Sequence, residues 1–222
     1  VGYLAGEWDH HGQKLIKPLR KDFAHLSPFD GVIWNDSDKD GKVSLKECEI
    51  FPANPKGRHL WDKITLPLGW GWSIKIDKED LSFYVKGGWK YSPVSFESDG
   101  APVFGKTGLK QVNPDMKGDG FVPVKGENTV VSMSMHDKYM YGYEKNTGKQ
   151  IWQYPNPYAG VHGSHNATMP KRGLIIGTLK ILGVAADCGE AGNVFVVRGN
   201  LGQDYYMTTD GVLVGALHPD TR

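Results

Sequence analysis

From Gly69 onward, apolar and polar residues alternate with a period of two, which places successive side chains on opposite faces of a strand. Residues 81–85 and 93–96 are expected strands. Residues 129–135, 139–143 and 150–154 predict a meander that turns at His136-Asp137-Lys138 and at Lys145-Asn146-Thr147-Gly148. A second meander is expected from residues 174–182, 193–198, 205–208 and 212–217, with Asp210-Gly211 between two apolar runs as a hairpin signal. The chain before Gly69 reads differently. A short strand is expected at residues 3–5, followed by a weakly patterned stretch, and another at Val32-Ile33-Trp34, which feeds an acidic loop. Leu45, Cys48 and Phe51 then recur at helical spacing and predict a short helix over residues 44–51.

The second meander fits four strands into residues 173–217, a repeat of the length of one β-propeller blade, roughly 40 to 50 residues. A ring needs at least about four blades, and the chain supplies about three. The expected fold is therefore all-β, with antiparallel four-stranded meanders arranged as propeller blades in an incomplete ring or fragment. Open blade edges invite pairing unless covered, so the expected partners are the remainder of a longer propeller chain or other subunits. The chain divides into an irregular or partial-blade segment, 1–28; an insertion with a calcium loop and short helix, 29–66; and the blades, 67–222.

Composition adds to this picture. With 29 Gly and 13 Pro in 222 residues, turns are many and long helices few. Lys and Arg number 26 against 25 Asp and Glu, so no basic stripe marks a nucleic-acid partner. The most apolar stretch, residues 173–186, contains Lys180 and is shorter than the roughly 18 residues of a membrane-spanning helix. Cys48 and Cys188 form no C-x-x-C motif and leave a single disulfide open. The chain begins at Val1 without a charged, then apolar leader, which reads as a processed product or a piece of something longer.

The strongest chemical motif is Asp36-Ser37-Asp38-Lys39-Asp40-Gly41-Lys42-Val43-Ser44-Leu45-Lys46-Glu47, which matches D-x-[DN]-x-[DN]-G-x₅-E at every specified place. Asp36, Asp38 and Asp40 converge, Gly41 permits the sharp turn, the Lys42 carbonyl supplies a backbone oxygen, Ser44 holds a bridging water, and Glu47 closes the shell bidentately. Four carboxylates this close repel one another without a cation. Oxygen ligands alone select a hard ion, and the expected cofactor is Ca²⁺. Pro28 and β-branched Val32-Ile33 precede the loop where a full EF-hand has its entering helix, so the segment resembles the isolated calcium loops of dockerin-like modules, which implies a structural ion.

A second motif, Tyr143-Glu144-Lys145-Asn146-Thr147-Gly148-Lys149-Gln150-Ile151-Trp152, joins two strands by a tight turn. It resembles the quinoprotein-type repeat A-x-D-x-x-T-G-x-x-x-W of PQQ-like β-propellers, with Glu144 in place of the usual Asp. The resemblance implies a propeller fold. Quinoprotein dehydrogenases of that family also use a vicinal disulfide, a tryptophan platform, a calcium ion and an acidic base. Here the cysteines are not adjacent and the calcium loop sits in an insertion, so the resemblance speaks for fold more than for chemistry.

The third constellation is His162-Gly163-Ser164-His165-Asn166, on a loop between two blades, with His136 in a neighbouring turn. Such loops carry function because the sheets hold them rigid. His162, Ser164, His165, Asn166 and His136 are candidate ligand-binding residues, against a structural reading in which the imidazoles bond to backbone. His10-His11 read as surface residues. Trp61, Trp70, Trp72, Tyr84, Trp89 and Tyr91 suit a sugar-stacking platform or, preferably, a β core. Asn35-Asp36-Ser37 and Asn166-Ala167-Thr168 match the glycosylation sequon. The leading expectation is an extracytoplasmic calcium-binding propeller with a binding, scaffold or assembly role and a glycan or small-molecule ligand. The alternative is a propeller enzyme, either a PQQ-type dehydrogenase or a carbohydrate-active hydrolase or lyase using residues 162–166.

Overall fold

A computed structural model of the chain describes residues 2–3, 21–58, 60–67, 74–168 and 171–218. Most of the first expected strand, His10-His11, Trp70 and Trp72 lie outside the described residues, as does the Trp61 side chain. Two compact units form: Val1–Leu68 with Pro93–Gly108, and Gly69–Ser92 with Leu109–Arg222.

In the first unit, β1 (Gly2–Tyr3), β2 (Gly31–Trp34) and β3 (Cys48–Phe51) make an antiparallel sheet. Val32 pairs with Ile50 and Trp34 with Cys48. Ile33 and Leu66 are buried, and Leu66 lies so close over Gly31 that a Cβ there would fall 2.4 Å from the Leu66 Cβ. Buried Asp30 ties the strand ends, accepting the Ser27 N–H at 3.0 Å and the Ala53 N–H at 2.7 Å. The short helix expected over 44–51 is corrected: only a 3-10 turn, Leu45–Glu47, forms, and the chain then runs as β3. Leu45, Cys48 and Phe51 recur at helical spacing, but Cys48 and Ile50 also alternate as in a strand, and pairing with β2 satisfies the backbone of a segment containing β-branched Ile50. One helical turn, α1 (Leu60–Lys63), follows.

The strand β4 (Phe83–Val85) of the second unit pairs with β5 (Trp89–Phe96), and β6 (Pro102–Gln111) completes that sheet, residues 93–96 of β5 and 102–108 of β6 being counted with the first unit. Two four-stranded antiparallel meanders come next, each in chain order. The first is β7 (Gly120–Pro123), β8 (Thr129–Met133), β9 (Tyr139–Glu144) and β10 (Gln150–Pro155). After a short helix, α2 (Gly160–His165), the second is β11 (Thr178–Ala185), β12 (Val194–Gly199), β13 (Asp204–Thr208) and β14 (Leu213–Leu217). Among the described residues the fold is all-β, with two three-stranded and two four-stranded sheets, the four-stranded ones being antiparallel meanders that pack as blades.

The stacking follows from alternation along the strands of the first meander. Val122, Val131, Met133 and Met140 face β11–β13, where Ile181, Phe195, Val197 and Met207 meet them. Phe121, Val130, Tyr141 and Tyr143 face the other way and pack with Tyr84 of β4. The sheet β7–β10 is thus buried on both faces, and β7 reads as four buried residues in a row. A period-two search passes over such a strand. Tyr84 and Tyr91 are core residues. The strand expected at 174–182 begins later, at Thr178, because Ile176 instead bridges Tyr158 and Gly177 turns at φ 66°.

Candidate functional site

The acidic loop leaves β2 at Asn35. That side chain is pinned at both ends, donating Nδ2–H to the Phe104 carbonyl at 2.8 Å and accepting the Phe104 N–H at 2.9 Å, so the first sequon asparagine already serves as a strand clip. Positive φ at Lys39 (59°) and Gly41 (68°) curls the chain. The Asp36 carboxylate fills the curl, accepting the N–H of Asp40 at 3.1 Å and of Gly41 at 3.0 Å; Asp40 in turn accepts the Lys42 N–H at 2.7 Å. One carboxylate oxygen from each of Asp36, Asp38 and Asp40 then lies within 4.8 Å of the others.

Glu47 closes the loop from the far side. Its carboxylate accepts the Ser44 hydroxyl at 2.6 Å, the Asp38 N–H at 3.2 Å, the Ser37 hydroxyl at 3.3 Å and the Trp34 indole N–H at 3.4 Å. Led by the Ser44 bond, this cage holds its carboxyl down at about 2. Lys46 pairs with Asp38 at 2.7 Å. Of the six expected ligands, Asp36, Asp38 and Asp40 gather, Ser44 and Glu47 bond one another beside Asp38, and Lys42 contributes its N–H to Asp40. All the side-chain donors are oxygens, which suits a hard divalent cation of calcium size. Such an ion would take the place of Lys46, whose side chain is largely exposed, in neutralising Asp38.

The histidine segment folds as α2, missed in the sequence because six residues are too few for helical periodicity to show. His162 and His165 are exposed, their rings 6.4 Å apart and nearly perpendicular. The Ser164 hydroxyl donates to the Val161 carbonyl at 2.7 Å and accepts from Asn200 Nδ2 at 2.8 Å. Asn166 Nδ2 donates to the His162 carbonyl at 3.1 Å. The His136 turn is a direct neighbour: a Cβ on Gly160, at the start of α2, would lie 2.7 Å from the Met135 carbonyl oxygen.

Exposed His136 lines a cavity of about 480 Å³ with Lys86, Lys117, Asp119, Ser134 and Asp137. There the Ser134 hydroxyl donates to Asp119 and accepts the His136 N–H, and the Tyr141 hydroxyl bonds to Asp137. Asp119 and Ser134 went unnoticed in the sequence, since they are brought together by β7–β8 pairing and share no short motif. Cys48 and Cys188 are both thiols.

No family model matches the chain, and no curated protein does. Among solved structures, the chain is similar to the crystal structure of BamB from Moraxella catarrhalis, with 14% identity and a TM-score of 0.35 over 65% of this chain. The chain spans 35% of the length of that structure.

Proposed function

We propose that this chain is a β-propeller module with a binding or scaffold role, that it acts outside the cytoplasm within a longer propeller chain or a complex, and that residues 36–47 take up one calcium ion. The observation that carries this reading is the convergence of Asp36, Asp38 and Asp40 within 4.8 Å on a loop already curled by backbone donors to Asp36. The ion's role is structural: the loop joins two strands through a 3-10 turn, whereas a calcium sensor works by opening a pair of helices. A calcium-dependent brace suits compartments where the ion is abundant. A binding role is favoured over nucleophilic chemistry because the Ser164 hydroxyl spends its proton on the Val161 carbonyl, where activation calls for a base.

The test is titration calorimetry on the full chain, stripped with chelator and then supplied with calcium chloride. One saturable site, lost in Asp36→Asn, is the expected result. Absence of uptake by the folded chain overturns the calcium reading.

A further inference from the structure

Among the described residues, β14 pairs with β13 alone. An edge strand leaves the backbone groups pointing away from its neighbour without sheet partners. Along this edge runs a groove of about 960 Å³, bounded on the strand side by residues 212–216 and across from them by Tyr154 of β10 and the segment 171–174.

Three features of the groove point to an occupant. Leu201, Val212 and Val214 line it and are 62%, 58% and 56% exposed, an apolar strip of the kind that marks an interaction surface. Its charged or titratable cation-forming members are Lys171, Arg172 and His218, and no carboxylate lines it. Gln203, only 3% exposed, also lines the groove; its Nε2 donates to the Ile176 carbonyl at 2.7 Å, while its Oε1 has no hydrogen-bond partner.

We propose that the groove binds an extended, partly apolar, acidic peptide segment of a partner protein, added as a further strand on the edge of β14. Main-chain bonds to the free edge supply affinity and alternate side chains supply specificity. The apolar side chains cover Val212 and Val214, the carboxylates meet Lys171, Arg172 and His218, and a donor on the peptide meets Gln203 Oε1. This gives the binding role proposed above a partner and rests on that role, though not on the calcium loop.

The test uses the full chain in calcium buffer and a fluorescein-labelled, end-blocked peptide that alternates valine with glutamate, read by anisotropy. Saturable binding is expected, weakening as salt rises and falling about tenfold or more when lysine replaces glutamate in the peptide. The paired substitutions Lys171→Glu and Arg172→Glu should weaken it comparably, and circular dichroism should show the fold of these exposed-site variants unchanged. Val214→Lys and N-methylation of alternate peptide amides should each abolish binding. Equal affinity for the acidic and basic peptides overturns the proposal. So does indifference to charge reversal, undiminished binding of the N-methylated peptide, or a dimer of the chain dissociated by Val214→Lys. Refusal of the peptide by a chain that still takes up calcium removes the groove and leaves the calcium reading in place; peptide binding without calcium uptake supports the groove and removes that reading.

Discussion

The Lys145 ammonium lies 2.9 Å from the Asp77 carboxylate, with the two side chains only 9% and 3% exposed. Half-exposed Glu79 adds a second carboxylate at 3.1 Å. The Lys145 carbonyl accepts the Tyr84 hydroxyl at 2.7 Å, and burial, with the charges of Asp80 and Asp77 adding, pushes that phenol above its usual range. The turn at Lys145 is thereby tied to the region around β4, while Trp152, seven positions on, is tied to the following sheet. One short motif touches the neighbours on both sides.

Removing one partner of a buried pair leaves an uncompensated charge, which typically costs about 3–5 kcal/mol. Glu79 recovers part of this here, so Asp77→Ala should destabilise the chain by about 3 kcal/mol. Urea unfolding should show a lower midpoint at unchanged slope. Replacing both partners, Asp77→Leu with Lys145→Met, should restore most of the loss, because two apolar side chains need no pairing.

Trp152 is the second prediction. Its indole N–H donates to the Thr209 carbonyl at 2.8 Å, and its ring stacks on Phe195 at 6.1 Å with planes 13° apart. Trp152→Ala should cost about 3–5 kcal/mol, whereas Trp152→Phe keeps the stacking and should lose about 1 kcal/mol with the hydrogen bond. Gly211→Ala should match the milder loss at least, since Gly211 sits at φ 93° and a Cβ there would lie 2.6 Å from the Trp152 ring. Thermal melting of the three variants checks the order.

Most of the blades could be read from the chain because their signals are local. Asp210-Gly211 turns where expected, and β9, β10, β12 and β13 fall within a residue or so of the alternation. What escaped depends on partners distant in sequence. β6 carries two glycines and two lysines and is strand only beside β5. β3 traded a helical spacing for pairing with β2. At the acidic loop, the spacing of Asp36, Asp38 and Asp40 announced their convergence. The Lys46 pairing and the fourfold cage on Glu47 were not written there, since they depend on how the loop closes over Trp34.

Calcium should act on stability through mass action. At calcium a hundredfold above its dissociation constant, the gain is about 2.7 kcal/mol, and the melting temperature should rise by roughly 5–10 °C. In Asp36→Asn the rise should vanish. Its chelated form should melt slightly below the chelated parent, because a neutral amide is a poorer acceptor for the Asp40 and Gly41 N–H groups. Scanning calorimetry of the two chains, each with and without the ion, measures both effects.

Glu47 contributes to the acid sensitivity of the calcium-free chain. Its carboxyl falls from an ordinary 4.5 to about 2 on folding, first because of the Ser44 hydroxyl and then through the Asp38 N–H, the Trp34 indole and the Ser37 hydroxyl, against the opposing effect of burial. A folded-state value below the unfolded one means that the unfolded chain binds the proton more readily, so stability falls with falling pH. The contribution is fully present above about 4.5 and drains away as pH drops toward 2. Glu47→Gln should therefore be less stable than the parent at pH 7, and the gap between the two should close by pH 2. Denaturant midpoints for both chains, measured in chelator across that window, should converge on the acid side. Curves that stay parallel would mean that Glu47 titrates normally and that its four donors do not hold the carboxylate in solution.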